Sequence, residues 1–230
     1  MEAMISENSR VTVKELQNLQ RLVRLIQSNK EIPLKSLLGG DGNIKIPRNI
    51  AIFNITSAHD CPSMKLGLCK AVEQGAKCYA IKSEFSYHPG VLPYRRRQAK
   101  LWNTISANDF AEQFLLINFS RGVKFTALRI NESGDYRNQG DIDKAEEIAR
   151  ILALQGIKTF CYSSRSDLDF SKCKNLIVSG SNFTKKGITN IFKIVKNKKD
   201  KPKGWMICRG SCKVCKLCQI RGSKVVCLRH

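Results

Sequence analysis

The sequence predicts an α/β fold: a mostly parallel sheet or a partial (β/α) barrel, with an N-terminal helix and a C-terminal cysteine-rich segment. Three observations predict it. Short apolar runs alternate with amphipathic helical segments, which is typical of parallel sheets. Polar residues or a cysteine follow each apolar run, at the strand ends where parallel α/β folds bind ligands. Four cysteines then crowd into residues 208–218.

The apolar runs that we predict as strands cover residues 50–56, 125–130, 158–162, 175–179 and 205–207. Helices are predicted over 108–119 and 141–154. In the second helix Asp141 is the candidate N-cap, and Gly156 is the candidate stop signal. Because parallel strands end at one edge of a sheet, we expect the polar residues after these strands to converge.

The N-terminal region predicts a separate amphipathic helix over residues 12–29, with Thr12 as its N-cap and leucines on one face. Pro33 and a glycine-rich stretch at 39–42 then predict a loop. We therefore divide the chain into an N-terminal helix and linker, 1–45, and an α/β domain, 46–230, which includes the cysteine loop 205–230.

Composition narrows the class of protein. The 230 residues are 42% hydrophobic and 26% charged, which is ordinary for a globular protein. No apolar run is long enough to cross a bilayer, and the first ten residues lack the apolar core of a secretory signal. We expect a cytoplasmic protein without a membrane partner, whose ten cysteines are reduced and available as metal or redox groups.

The C-terminal cysteines form the strongest motif. Cys208, Cys212, Cys215 and Cys218 follow the pattern Cx3Cx2Cx2C, so four thiolates lie within eleven residues. Such short gaps are typical of loops that hold a 4Fe–4S cluster, whereas structural zinc sites usually have two CxxC pairs with a longer insertion. The spacing favours an iron–sulfur cluster; zinc is the alternative.

A second group of cysteines follows the first predicted strand. Cys61, Cys69 and Cys78 have the spacing Cx7Cx8C in a loop-rich stretch. Three thiolates with an open fourth position would suit a reactive second cluster, whereas buried packing is the alternative. The candidate fourth ligands are His59, Cys161, Cys173 and Cys227. For Cys227, packing in an edge strand over residues 225–227 is the alternative.

Charged residues at two strand ends are candidates for a catalytic role. The segment from Arg129 to Asp135 contains Gly134, which would permit a tight turn that brings Asp135 inward. Arg165 lies among three serines in a segment that resembles an anion site. We take Arg129, Asp135 and Arg165 as candidate catalytic residues; a capped turn and a surface turn are the alternatives.

The formal charge of +21 predicts a polyanionic partner such as nucleic acid. Arg95, Arg96 and Arg97 lie between aromatic residues, the combination that single-strand binders use for stacking and phosphate contact. The run 193–203 adds six lysines. The alternatives are arginines that face inward to neutralise a cluster, and a solvated lysine connector.

Taken together, these motifs show a family resemblance. Eight short motifs occur in one order over 50–220: Phe53-Asn54, Cys61-Pro62, Cys69, Cys78-Tyr79-Ala80, the arginine run, Arg129 to Asp135, Tyr162 to Ser166 and the final cysteine run. The chain thereby resembles the phage gene-product-88-like proteins. The resemblance implies a phage or prophage origin, hence the host cytoplasm, and a cysteine-rich metal-binding α/β fold.

Two shorter motifs, Cys78-Tyr79-Ala80 and Arg129-x3-Ser133-Gly134-Asp135, are also similar to those of radical S-adenosylmethionine barrels. Those proteins carry CxxxCxxC as their first motif, whereas this chain carries Cx7Cx8C. We therefore expect an iron–sulfur protein, with redox or radical chemistry at a cluster near the strand ends. The alternative is a nucleic-acid-binding protein with structural iron–sulfur or zinc centres.

Overall fold

The computed structural model describes residues 32–39, 45–69, 78–87 and 90–228. Within them, seven strands form one sheet in which every neighbouring pair is parallel. The strands are β1 Ile50–Phe53, β2 Ala127–Ile130, β3 Lys158–Ser163, β4 Ile177–Ser181, β5 Asn190–Val195, β6 Met206–Ile207 and β7 Lys224–Leu228. Their order is β1-β2-β3-β4-β5-β7-β6, so the predicted α/β class is confirmed.

The described α-helices are α1 Pro62–Lys65, α2 Tyr79–Lys82, α3 Val91–Thr104, α4 Ala107–Ser120 and α5 Gln139–Ala153. A π-helical turn, Ser83–Tyr87, continues α2. Ser106 caps α4 by accepting the N–H of Asp109 at 3.0 Å. Asn138 caps α5 in the same way, so this helix starts two residues before the predicted start and Asp141 is not its cap.

The long helices cover one face of the sheet. The Phe53 ring on β1 lies 5.0 Å from the Phe110 ring of α4 and 6.0 Å from the Trp102 ring of α3. All three side chains are buried, as is the apolar stripe of α5. Since a fully buried side chain of this size contributes about 1.5–3 kcal/mol, these contacts hold the helices on the sheet.

The cysteine-rich segment lies against the opposite face. That face carries a buried cluster of Ile46, Ile50, Ile52, Ala127, Phe160 and Ile177, and Tyr162 and Cys218 pack against it. The strand order explains this placement. From β1 to β5 the chain advances across the sheet, whereas from β6 to β7 it steps back. Because crossovers between parallel strands are right-handed, the backward step puts residues 208–223 on the face without helices.

Two strands differ from the sequence prediction. Strand β5 was not predicted, and its Lys193 belongs to the run that we interpreted as a connector. Strand β7 contains Val225 to Cys227, for which an edge strand was one interpretation; it lies inside the sheet, between β5 and β6. Lys193 interrupts the apolar pattern of β5, and the apolar run of β7 after Lys224 is short, so the neighbouring strands supply the pairing.

The predicted helix over 12–29 lies outside the described residues. Residues 33–39, which we assigned to the linker, pack on the sheet: the Gly39 N–H donates to the Ile52 carbonyl at 2.8 Å, and Leu34 is buried. In the described ranges, no helix combines the length and the apolar character needed to cross a bilayer.

Asp141 is the polar anchor of α5. Its carboxylate accepts the Trp102 indole N–H at 2.8 Å and the Arg137 guanidinium at 2.6 Å. Burial by itself would raise the pKa of Asp141, but the hydrogen bonds from Arg137 and Trp102 hold it below the ordinary value of 3.8. The charged form of Asp141 therefore stabilises the fold.

We expect Asp141→Asn to lower the free energy of unfolding at pH 7 by about 2 kcal/mol, because charged hydrogen bonds are lost. A lowered carboxyl pKa stabilises above the unfolded value and loses its effect as the pH falls through the folded value. The difference from wild type, measured by urea unfolding, should therefore shrink below about pH 4.

The matched control is Glu147→Gln, which removes an exposed helix pair with Arg150 and should cost less than about 0.5 kcal/mol. Equal losses for the two variants would contradict the anchoring role of Asp141.

Candidate metal centre

Asp135 joins three loops at the ends of β1, β2 and β3. Its side chain is 3% exposed and accepts four hydrogen bonds. The donors are the Ser63 hydroxyl at 2.6 Å, the Ser163 hydroxyl at 2.8 Å, the Ser164 N–H at 2.7 Å and the Tyr136 N–H at 2.8 Å. Burial raises the pKa of Asp135, and these donors oppose the rise. The carboxylate fully engages protein donors, which gives it a structural role; a catalytic role stays a prediction.

Gly134 makes the turn that brings Asp135 inward, as the sequence predicted. Its φ is +72°, and a Cβ there would lie 2.1 Å from Thr56 Oγ1. The close approach lets the Asp135 N–H donate to Thr56 Oγ1 at 2.9 Å. The loop after β2 is thus held against the loop after β1.

Glu84 is a second buried anchor, and the sequence did not single it out. It accepts the N–H groups of Ala58 at 2.7 Å and His59 at 3.0 Å, just before Cys61. It also pairs with Arg95 at 2.8 Å and accepts the Ser133 hydroxyl at 3.2 Å. One carboxylate therefore fixes the backbone that leads to the first cysteine.

Cys61 lies at the start of α1, next to this anchored loop. Burial, followed by the charge of Asp135, raises the pKa of its thiol to about 12, although the N–H groups of Met64 and Ser63 oppose the rise. Cys61 also interacts electrostatically with Cys69. The structure thus brings two of the three predicted ligands of the first group near each other, and the thiol of Cys61 is protonated at neutral pH.

Cys78 is the residue before α2, and residues 70–77, which connect it to Cys69, lie outside the described ranges. The next residue, Tyr79, donates its hydroxyl to the Glu132 carbonyl at 2.5 Å. This contact ties the start of α2 to the end of β2. Whether Cys78 joins Cys61 and Cys69 in one centre stays a prediction.

The C-terminal cysteines begin where β6 ends. The Cys208 N–H donates to the Val226 carbonyl at 2.7 Å, which continues the pairing of β6 with β7 and sets Cys208 beside Cys227. A hydrogen bond between these two side chains, and burial, raise the pKa of Cys227. Cys227 therefore belongs with the C-terminal cysteines, although its sequence position is outside their motif.

The rest of the motif folds back over the sheet. The Cys212 N–H donates to the Lys45 carbonyl at 2.8 Å, beside β1. The Tyr162 hydroxyl donates to Cys218 Sγ. Cys212 interacts electrostatically with Cys208 and with Cys215, and Cys218 interacts with Cys208 and Cys212. Cys208, Cys212 and Cys218 therefore interact with one another, and Cys215 interacts with Cys212.

Burial raises the pKa of Cys212 and of Cys218, whereas the positive charge of Arg129 lowers both. The thiols are thus protonated in the metal-free chain. In the described ranges no three His, Cys, Asp or Glu side chains converge as the ligands of a metal ion. The chemistry of the cysteine donor set nevertheless fits a thiophilic metal, since all of its potential ligands are sulfur.

Arg129 lies near the C-terminal cysteines Cys212 and Cys218. Its guanidinium carbon lies 5.2 Å from the centre of the Tyr162 ring. Burial by itself lowers its pKa, but Tyr79, Tyr162 and Glu132 raise it above the ordinary value. Arg129 also interacts with Cys212. Arg129 interacts with the C-terminal cysteines, whereas Asp135 and Arg165 interact with Cys61. A catalytic role for Arg129 stays a prediction.

Arg165 is engaged by its surroundings. It makes a two-bond ion pair with Asp167, at 2.7 and 2.8 Å, and donates to the carbonyls of Tyr136 and Arg137. Through these contacts the Arg165 guanidinium holds the backbone of Tyr136 and Arg137, directly after Asp135. The geometry supports the turn interpretation, and a catalytic role for Arg165 stays a prediction.

The arginine run does not form a continuous basic surface. Arg95 is buried in the pair with Glu84, Arg96 pairs with Asp60 at 2.9 Å, and Arg97 lies 6.0 Å from the Tyr94 ring. Arg95 thus faces inward, towards a carboxylate. In the run 193–203, by contrast, five of the six lysines are exposed.

The other candidate fourth ligands have packing partners. Cys161 is buried and interacts with Tyr136, and Cys173 is also buried. The His59 ring packs edge-on against Phe85 at 5.5 Å. Periodicity already placed Cys161 inside a strand, but no sequence signal pairs Cys227 with Cys208, because that contact depends on the strand order.

Gly134→Ala should lower the free energy of unfolding by more than about 2 kcal/mol, because the new Cβ overlaps Thr56 and the turn needs a positive φ. Gly156→Ala is the matched control: its φ is +70°, but nothing lies within 4 Å of the new Cβ, so about 1 kcal/mol is expected. Urea unfolding measures both losses. A loss at Gly134 no larger than that at Gly156 would contradict the close packing of the two loops.

Comparisons with protein families, with curated proteins and with solved structures found no match to this chain. The site itself therefore carries the functional argument.

Proposed function

We propose that this protein binds an iron–sulfur cluster through Cys208, Cys212, Cys215 and Cys218. The observation that carries the proposal is that the cysteine segment folds over the sheet, with Cys218 Sγ at the Tyr162 hydroxyl and with Cys212 and Cys218 near the cation of Arg129. Four thiolates on one metal centre repel one another, and a neighbouring guanidinium offsets part of that charge.

The donor set supports a sulfur-bound metal. The segment 201–228 contains no aspartate or glutamate, so the carboxylate ligands that hard cations favour are absent from it. Its basic residues Lys213 and Lys216, next to the cysteines, add positive charge. Because raised thiol pKa values must be overcome, metal binding here releases protons and strengthens as the pH rises.

The short cysteine gaps favour a 4Fe–4S cluster over zinc. A second cluster on Cys61, Cys69 and Cys78 would have three protein ligands and an open iron. An open iron is what redox or radical chemistry on a bound substrate requires, so we propose an iron–sulfur redox enzyme of a reducing cytoplasm. The phage origin rests on the family resemblance.

After anaerobic reconstitution with iron and sulfide, the wild-type chain should be brown and hold roughly four iron and four sulfide per cluster. Cys212→Ser with Cys215→Ser should abolish the C-terminal cluster, because two of its four thiolate ligands are lost. Cys173→Ala, at a buried cysteine outside both groups, is the matched control and should retain full metal content.

The measurements are iron, sulfide and zinc per chain, together with the visible absorption. Colourless protein with stoichiometric zinc would refute the iron–sulfur proposal, and equal iron in the double variant and in wild type would refute the ligand assignment.

Nucleic-acid binding is the second candidate, and the exposed lysines of 193–203 favour it. Lys193 is in β5, and the others lie between β5 and β6, where Lys198–Asp200 forms a helical turn. A phosphate backbone on this turn would release condensed counterions, so the affinity would depend steeply on salt.

Changing Lys198 and Lys199 to glutamine should weaken binding to a single-stranded oligonucleotide and reduce the slope of log affinity against log salt by about 2. Changing Lys158 and Lys172 to glutamine is the matched control, since these residues are outside the run. An unchanged slope in the first variant, or no binding by wild type at low salt, would contradict this candidate.

A further inference from the structure

Arg129 has a buried donor without a partner. Its Nε is inaccessible to solvent and finds no acceptor in the described ranges, although its charge lies over the face of the Tyr162 ring. A charged N–H that has lost its water without gaining an acceptor is costly to the fold. Such a group in a native structure indicates an acceptor that completes it.

The surroundings of Arg129 limit what that acceptor is. Tyr162 donates its own hydroxyl to Cys218 Sγ, so this hydroxyl hydrogen points at sulfur. The Glu132 carboxylate lies 3.7 Å from the Arg95 guanidinium, so its negative charge is shared between Arg95 and Arg129. Tyr79 donates its hydroxyl to the Glu132 carbonyl. The remaining groups that interact with Arg129 are the sulfurs of Cys212 and Cys218. A neutral thiol accepts hydrogen bonds weakly, but a metal-bound thiolate or a bridging sulfide accepts them well.

We propose that Arg129 donates its Nε–H to sulfur of the centre bound by Cys212 and Cys218, with Tyr162 as a second donor through Cys218. This inference rests on the proposed cluster and makes Arg129 a positioning residue of that cluster. Arg129 and Tyr162 would both contact the centre from the sheet side, because both side chains project from the sheet face that the cysteine segment covers.

Such a donor pair has a measurable consequence. Reduction adds negative charge to a cluster, and a cation with a hydrogen bond to sulfur stabilises that charge, so Arg129 should raise the midpoint potential. It should also favour loading, since partners that support metal ligands typically contribute roughly 10- to 100-fold to affinity.

The test compares Arg129→Met, Arg129→Lys and Tyr162→Phe in the full chain reconstituted anaerobically. Arg129→Met should shift the midpoint potential to more negative values and weaken metal binding about 10- to 100-fold. Arg129→Lys, which retains the charge, should shift the potential less. Tyr162→Phe keeps the ring that Arg129 covers and should produce a small negative shift.

Arg121→Met is the matched control, because Arg121 also covers an aromatic ring, that of Phe125 at 3.9 Å, at a site away from the cysteines. It should leave both the potential and the loading unchanged. Circular dichroism checks that each variant is folded; if Arg129→Met does not fold, Arg129→Lys and Tyr162→Phe carry the same test.

The outcomes separate the two proposals. A wild-type cluster whose potential and affinity are the same in the Arg129 and Tyr162 variants overturns the role of Arg129 and leaves the cluster in place. A wild-type chain that takes up no cluster overturns the proposed function and this inference with it.

Discussion

The handedness of crossovers between parallel strands determines where the cysteines lie. The first five strands advance across the sheet, and the connections between them place the long helices on one face. Contacts with Phe53 hold these helices there, and the opposite face stays free of them. The last two strands reverse the direction, and a right-handed connection between them must cross the free face. The motif cysteines are in that connection, so the reversal brings them over Arg129 and Tyr162. Without this reversal, Cys218 would not pack against Tyr162 and the buried cluster on this face of the sheet.

A second consequence of the fold is that two buried carboxylates organise the strand ends. Asp135 binds the loops after β1 and β3, and Glu84 binds the backbone before Cys61. A buried carboxylate is costly unless donors surround it, and both groups have several. Hydrogen bonds to the two carboxylates therefore hold the backbone before Cys61 and the Ser63 side chain after it.

Some of this arrangement follows from the sequence. The strands over β1 to β4 and the helix α5 follow from apolar periodicity, because each contains enough buried residues to show its period. Gly134 was identified as a turn that carries Asp135 inward, and its positive φ agrees. Strand β5 was not predicted, because Lys193 breaks its apolar pattern. Strand β7 was considered only as an edge strand, and its place inside the sheet depends on its two partner strands. Asp141 shows the opposite error, since a residue with good cap chemistry lies inside the helix and binds Trp102.

The sequence by itself determined the class of fold, since periodicity specifies local elements. The cysteine spacing predicts which sulfurs share a metal centre, and that prediction belongs to the proposed function. Only the tertiary structure decided that Cys227 joins Cys208, that Arg95 faces Glu84 and that Arg129 faces the cysteines. These contacts join residues far apart along the chain or on different elements. Their proximity depends on strand order and on which face each side chain takes, and a local pattern contains neither.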